Sequence, residues 1–327
     1  MTENLLITGG CGFIGSHFIR LLLKNKNVSI TNIDALTYAS NKENTEDFEK
    51  NPNYRFIKVD ITKKDELDKV FDQTYDMIIN FAAETHVDRS IESSQSFVHT
   101  NVLGTYHLLR KVLDGKAKKM LQISTDEVYG SLKKNEYPFK ETHPLAPNNP
   151  YSASKASADL LIRSFYQTYK IPVMITRCSN NYGPNQNSEK LIPKVIYHAL
   201  HDKEIPVYGD GQNVRDWLFV EDHCRAIFAV MMNGKPGEIY NIGGNNEKSN
   251  IEMVKIILNH IGKSHDLIAF VTDRKGHDRR YGIDWSKMKN EFNWQPCTSF
   301  NKGIKMTIDW YVDHQDWFHT SSNGGQV

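Results

Sequence analysis

Through its first half the chain alternates short apolar runs with amphipathic stretches of helical length, and this alternation is the strongest constraint on its fold. Candidate strands are Asn4–Thr8, Ser29–Ile33, Arg55–Val59, Met77–Phe81, Met120–Ser124 and Val173–Arg177. Helix-length segments such as Ile14–Lys24, Lys64–Phe71, Ser96–Leu113 and Ser152–Tyr169 lie between them. Strands that are apolar throughout, rather than at every second residue, are buried on both faces. A repeated strand–helix–strand order joins parallel neighbours. The expectation is an α/β fold with a doubly wound parallel sheet. After about Cys178 the rhythm changes: Asn180-Asn181-Tyr182-Gly183-Pro184 and Tyr208-Gly209-Asp210-Gly211 introduce turns, and strands shorten. This predicts a first domain over 1–178, with a returning segment near 214–244 that includes a strand and helix over Trp217–Met232. Segments 179–213 and 245–319 form a smaller α/β substrate-binding domain, and 320–327 a flexible tail.

The first strand runs into Gly9-Gly10-Cys11-Gly12-Phe13-Ile14-Gly15 and then directly into a helix. Glycines let the backbone turn tightly and approach a pyrophosphate, while the helix N-terminal N–H groups face its charge. The motif reads as G-x-G-x-x-G from Gly10 or as G-x-x-G-x-x-G from Gly9. Alone it is weak. The next strand ends at Asp34, about 20 residues on, where a Rossmann-type fold places an acid on the adenosine ribose. No arginine follows to accept a 2′-phosphate, which favours NAD over NADP. Asp60-Ile61 and Ala82-Ala83 end later strands at the same edge, where small and polar residues suit a cofactor.

A tyrosine four residues before a lysine on a helix puts both on one face, where the ammonium lowers the phenol's pKa and grips the cofactor ribose. The spacing occurs at Tyr38/Lys42, Tyr54/Lys58, Tyr129/Lys133, Tyr151/Lys155 and Tyr166/Lys170. Tyr54/Lys58 falls in a predicted strand, where four residues span roughly 13 Å. Tyr38/Lys42 and Tyr129/Lys133 fall in loops. Tyr166/Lys170 ends the helix that Tyr151 begins, roughly 22 Å further along. Ligands bind at the carboxyl edge of a parallel sheet, where the following helices start. Only Tyr151/Lys155 combines a helix with that edge.

Bulk properties narrow the partners. Forty Lys and Arg against 39 Asp and Glu leave a formal net charge of +1, which gives no electrostatic case for nucleic acid or an anionic membrane. No apolar run approaches a membrane span, and the N-terminus lacks the pattern of a signal peptide. Cys11, Cys178, Cys224 and Cys297 are far apart and form no C-x-x-C, which reads as free thiols in a reducing compartment. The cytoplasm is the expected location. The histidines show no metal-ligand spacing at the active edge, so no metal is expected.

Five segments sharpen the reading: the glycine loop, Ala-Ala-Glu-Thr-His-Val-Asp-Arg-Ser (82–90), Ser-Thr-Asp-Glu-Val-Tyr-Gly (124–130), Pro-Tyr-Ser-Ala-Ser-Lys (150–155) and Arg-Cys-Ser-Asn-Asn-Tyr-Gly-Pro (177–184). With them the whole chain up to its tail resembles the extended short-chain dehydrogenase/reductases that act on nucleotide sugars, and among these the 4,6-dehydratases. Cys11 departs from the alanine that relatives often carry. The resemblance implies bound NAD, dTDP-glucose or a related nucleotide sugar as substrate, and a homodimer. It makes Asp126 an acid, Glu127 a base, and Thr125 a partner of the sugar's 4-oxygen beside Tyr151. Chemistry supports two adjacent carboxyls: losing water from a 4-keto sugar needs a base for the C5 proton and an acid for the leaving C6 hydroxyl.

For the cofactor the resemblance implies Gly9, Gly12, Phe13, Ile14, Gly15, Asp34, Asp60, Ile61, Ala82, Ala83, Tyr151 and Lys155. For the substrate it implies Asn180, Glu189, Lys190, Leu191, Tyr208, Arg215, Asn250, Arg274, His277 and Tyr281, with Tyr208 under the base and Arg215 on the diphosphate. One rival is a nucleotide-sugar 4-epimerase or decarboxylase of the same family, against which the acidic couple argues. Another is a non-catalytic NAD-sensing Rossmann protein, which has no chemical need for the tyrosine, the lysine and both acids together.

Overall fold

A computed structural model of the chain describes residues 2–25 and 27–320. The tail expected over 320–327 lies, beyond Thr320, outside the described residues. The first six strands fall where the apolar runs predict them: β1 (Glu3–Thr8), β2 (Val28–Asp34), β3 (Tyr54–Lys58), β4 (Met77–Asn80), β5 (Met120–Thr125) and β6 (Val173–Cys178). Six more follow: β7 (Asn180–Tyr182), β8 (Ile205–Tyr208), β9 (Val214–Phe219), β10 (Ile239–Ile242), β11 (Glu247–Ser249) and β12 (Ile268–Val271). Seven form one all-parallel sheet in the order β10-β6-β5-β4-β1-β2-β3. The chain starts in the middle, winds outward to β3, then crosses back to β4 on the other side of β1. The connections leave β1 in opposite directions, and a crevice opens there beyond the carboxyl ends.

The apolar strands are explained by cover on both faces. Every residue of β5 and β6 is buried. Leu5 and Ile7 enter one core with Phe18 and Leu22 of the helix Phe13–Asn25, and with Ile227 and Val230 of the helix Val220–Asn233. Leu6, between them, points to the opposite core with Leu108, Leu109, Ile162 and Phe165. Each fully buried side chain of this size contributes about 1.5–3 kcal/mol. A third core gathers Ile192, Ile196, Val254, Leu258, Ile304 and Tyr311 around β8 and β9, all from residues after 181.

Two expectations change in detail. The segment Ser96–Leu113 is not one α-helix: Gln95–Phe97 and Thr105–Leu113 flank a π-helical stretch, Val98–Gly104. The wider turns accompany a clamp. The Asn101 side chain accepts from Glu84 N at 2.9 Å, and donates to Glu84 O at 3.1 Å and to Ser154 Oγ at 2.8 Å. Gly104 lies where a Cβ would come 2.5 Å from the Ile61 side chain. The second change concerns the returning segment. The strand within it, β9, pairs with β7 and β11 in a small three-stranded sheet rather than in the large one. The return is made by the helix Val220–Asn233, packed on Phe13–Asn25, and by β10, which pairs with β6. The remaining two strands, β8 and β12, pair parallel to each other.

Candidate functional site

The glycine loop is close-packed on one side and open on the other. Gly9 has φ +69°, and a Cβ there would stand 2.6 Å from Ala82 N; at Gly15 it would stand 2.4 Å from Gly9 O. At Gly12 a Cβ would meet only Gly9 O, at 3.2 Å, within reach of nothing else closer than Ala39 O at 4.0 Å. Gly9, Gly12, Phe13, Ile14 and Gly15 line a long cleft, and Gly10 does not; its Cβ position is filled by the Asn32 side chain. The motif is therefore read from Gly9. The start of the helix Phe13–Asn25 brings its free N–H groups to this cleft.

Asp34, Asp60, Ile61, Ala82 and Ala83 line the same cleft. Asp34 is buried, and its carboxylate accepts from Cys11 N at 3.0 Å, Leu36 N at 2.8 Å and Ser40 Oγ at 2.7 Å. Burial pushes its pKa up and these bonds oppose the rise. Of the cations, Lys155 and Lys190 line the cleft, and no arginine does among the described residues. This suits a ribose with free hydroxyls better than a 2′-phosphate.

At the end of β5 the chain turns at once into a short 3₁₀ helix, Asp126–Tyr129, whose N-cap Thr125 accepts from Glu127 N at 3.3 Å. Asn149 caps the helix Pro150–Tyr169 beside it, so Tyr151 and Lys155 fall on its first turns. Tyr151 N donates to Ser90 Oγ at 3.1 Å, and the Thr125 side chain acts to lower the pKa of its phenol. Thr125, Glu127, Tyr151 and Lys155 all line the cleft; Asp126 does not. Asp126 is 1% exposed, with no hydrogen bond to its Oδ2, and burial followed by the Glu127 charge holds its pKa well above the usual carboxylate range. Glu127 is half-buried and takes Ser152 Oγ at 3.1 Å. The two carboxyls thus differ sharply in setting.

Lys155 donates to the Ile123 carbonyl at 2.8 Å. Burial and the Glu127 charge push the Tyr151 phenol up, and the Thr125 side chain opposes them. Burial in turn pulls Lys155 down.

The substrate candidates form two groups. Around Glu127, Arg215 lies over the Tyr281 ring at 4.3 Å, and its guanidinium donates to the Asp278 carbonyl at 3.0 Å. Tyr281 donates to the Asp278 carboxylate and stands 3.4 Å from Glu127 Oε2. The rings of His277 and Tyr208 meet edge-on at 6.2 Å, and Arg274 faces Asp88 at 3.7 Å. Burial and Arg274 bring His277 down to about 4, so it is neutral at pH 7. At the cleft, Asn180, Glu189 and Lys190 are lining residues, and Asn180 Oδ1 is buried with no hydrogen bond. Lys190 donates to Thr85 O at 2.9 Å; Glu189 faces His86 and Arg89 at 3.6 and 3.7 Å. Two residues stand apart. Leu191 begins a helix and packs against the third core, and Asn250 is tied to Asn213 O through its backbone N–H at 2.9 Å.

Asp278, Ser152 and Ser90 escape the sequence reading although each fixes a site residue, as does Asn101, which holds Glu84 of the cleft lining. Asp278 sits in Gly-His-Asp-Arg-Arg beside His277, and Ser152 and Ser154 alternate with the residues of the tyrosine–lysine pair, so their neighbours were the available signal. Ser90 and Asn101 act across the fold, which no spacing reveals.

Fold and site together define an extended short-chain dehydrogenase/reductase. Residues 6–307 match the family described as GDP-mannose 4,6 dehydratase. The chain is 46% identical to the dTDP-glucose 4,6-dehydratase of Neisseria meningitidis serogroup B, over 98% of this chain and 97% of that one. It superposes with TM-score 0.90 and 48% identity on the dTDP-glucose 4,6-dehydratase of Bacillus anthracis, solved in complex with NAD, covering 98% and 100% of the two chains. A UDP-glucose 4-epimerase from Thermus thermophilus, also with NAD, gives TM-score 0.87 at 26% identity, covering 95% and 99%. The chain belongs to the GDP-mannose 4,6 dehydratase family and, within it, to the dTDP-glucose 4,6-dehydratases, which are hydro-lyases.

Proposed function

We propose that this chain converts dTDP-glucose to dTDP-4-keto-6-deoxy-glucose with an NAD that is returned unchanged. The observation that carries this reading is the turn Thr125-Asp126-Glu127 against Tyr151. It sets a buried carboxyl with a pKa raised well above the usual range and a cleft-lining carboxyl beside the same phenol. A redox site that only epimerises has no use for both, and the fold alone, shared with the epimerase, does not decide.

NAD in the cleft supplies the hydride acceptor and, once reduced, the donor; its cationic ring also supplies the positive charge that the buried phenol needs to ionise. Gly9, Gly12 and Gly15 shape the loop for its pyrophosphate, and Asp34 holds its adenosine ribose. Tyr151 removes the proton of the C4 hydroxyl as the C4 hydride departs, with Thr125 on the sugar's 4-oxygen. The new ketone acidifies C5–H. Glu127 removes that proton, and Asp126 protonates the leaving C6 hydroxyl, so one water is lost across C5–C6. The hydride returns to C6 and a proton to C5. Arg215, buried without a carboxylate at salt-bridge distance among the described residues, is suited to the diphosphate.

The smaller domain, 179–213 with 245–319, brings the sugar nucleotide to this edge. The same reading makes the protein a homodimer. Val98, Leu103 and Tyr106 expose 51, 40 and 39% of their surface, and Leu160 and Tyr169 of the neighbouring helix 56 and 51%, a shared apolar face on the outside of the sheet. The four cysteines are free thiols, which fits the cytoplasm, and no helix among the described residues is long and apolar enough to cross a membrane. Incubation with dTDP-, UDP- and CDP-glucose, scored by mass spectrometry, tests the function. Loss of one water from dTDP-glucose is expected; a C4 epimer of unchanged mass would overturn it.

A further inference from the structure

One buried ion pair takes no part in the chemistry above. Asp159 follows Lys155 by one turn on the helix Pro150–Tyr169, on the same face. The two residues are 1 and 5% exposed. Asp159 Oδ2 accepts from Arg177 Nε at 2.8 Å, while its Oδ1 is buried without a hydrogen bond. Arg177 belongs to β6, and its guanidinium lies 4.8 Å from the centre of the Tyr129 ring. Tyr129 closes the turn that carries Asp126 and Glu127, and its hydroxyl donates to Asn241 Oδ1 at 2.8 Å. Desolvating such a pair is costly, and apolar side chains of similar volume commonly serve stability as well or better. Its placement therefore calls for another reason. One turn away on the same helix face lie Arg163, which is exposed, and Lys155, which is buried with Asp159.

We propose that Asp159 is a positioning residue whose charge keeps Lys155 an ammonium, and that Arg177, braced on Tyr129, holds Asp159 in place. Lys155 is removed from water and has the Ile123 carbonyl for a hydrogen-bond acceptor. The titratable groups around it are Tyr151 and Asp159 on its own helix, Cys178 and Arg177 on β6, and Asp126 and Glu127 on the adjacent turn. Burial draws the proton of Lys155 away, and the foremost opposing group is Asp159, followed by Cys178. Cys178 is itself pushed up to about 12 by burial, so it is a neutral thiol at pH 7. Burial and the Glu127 charge raise Asp126 well above the usual carboxylate range, and Asp126 and Glu127 act on Tyr151 rather than on Lys155. Asp159 is the anion left to serve the lysine. Without it Lys155 loses its proton at a lower pH.

The inference rests on the NAD-dependent reading only for C4 oxidation, the step that precedes water loss. Two quantities follow the charge on Lys155: the single-turnover rate of nicotinamide reduction when holoenzyme meets dTDP-glucose, and the calorimetric affinity for NAD, each measured across pH. In Asp159→Asn the alkaline fall of both moves toward acid by about one to three pH units. Asp159→Glu leaves the fall where the parent has it. Because Asp159→Asn strands the Arg177 charge, that variant can fail to fold. The double variant Asp159→Asn with Arg177→Met removes both charges, and its alkaline fall still moves down, since Arg177 is not among the groups that act on Lys155. Unmoved profiles in the folded variants, with only a lower melting temperature, would overturn the proposal. So would failure of both to fold, which would make the pair a packing element. Nicotinamide reduction without release of a dehydrated sugar would refute the dehydratase reading and leave this test standing.

Discussion

Replacing Gly12 and Gly15 by alanine, one at a time, separates the two duties of the glycine loop. At Gly15 the new methyl would sit 2.4 Å from Gly9 O and 2.9 Å from Gly10 Cα, both main-chain atoms that cannot swing aside. The start of the helix must retreat, at an overpacking cost of about 1–3 kcal/mol. For a chain of this length each kcal/mol moves the melting temperature by about 2 °C, so the apo protein should melt about 2–6 °C lower. At Gly12 the nearest atom is 3.2 Å away, a contact relieved by a few tenths of an ångström, and φ is not in the left-handed region. Alanine there restricts the unfolded chain and stabilises by up to about 1 kcal/mol. Its methyl nevertheless lines the cleft where the pyrophosphate must come close. Losing one charge-assisted N–H contact costs about 1.5–3 kcal/mol, which weakens NAD binding by about tenfold to a hundredfold. Apo melting curves and NAD titration calorimetry measure the two effects. Gly12→Ala should keep or raise the apo melting temperature while weakening NAD; Gly15→Ala should lower the first and weaken the second. Equal destabilisation by both variants, or parental NAD affinity in Gly12→Ala, would refute the reasoning.

Replacing Asp126 by Asn and Glu127 by Gln together should leave C4 oxidation intact and abolish water loss, so reduced nicotinamide accumulates by absorbance; undiminished dehydration would defeat the role assignment. Stability should fall on acidification below pH 6.5. His17, bonded to the Pro184 carbonyl, and His223, bonded to Asn181, take a proton near 6.5 when unfolded but only near about 4 and about 3 in the buried native setting. The unfolded state then binds more protons, each histidine removing about 1.4 kcal/mol per pH unit once well below 6.5, and His17→Gln should flatten the fall seen by thermal melts across that range. Leu160→Glu, on the exposed helix face, should yield a monomer by light scattering after size exclusion, and an unchanged parental mass would remove that face from the interface.

What the sequence revealed and what it hid divide along a physical line. The parallel sheet was legible because burial on both faces leaves a local mark: β5 and β6 are buried at every residue, and their runs read as unbroken apolar strings. Asp34 and the Tyr151/Lys155 pair were legible for a related reason. Their positions follow from where a strand stops or a helix starts, and the sheet's edge does the rest. The π-helical stretch at Val98–Gly104 left no such mark, because it accompanies partners distant in sequence: Glu84, Ser154 and Ile61. The side of the return taken by β9 was hidden as well, since pairing with β7 and β11 depends on chain directions that a six-residue strand does not encode.

The same distinction sets the limit of the tyrosine–lysine spacing. Spacing places two side chains on one helix face, and it says nothing about what lies opposite that face. Opposite Lys155 is the Ile123 carbonyl, which takes its hydrogen bond, and opposite Tyr151 is Glu127, whose charge raises the phenol. In the proposed reaction the phenol, raised by burial and by Glu127, would need positive charge in the loaded cleft to serve as a base, and the oxidised nicotinamide ring and the Lys155 ammonium would both supply it. Reduction of the ring would remove one of the two charges, which would favour holding the ketone while the proposed base and acid act.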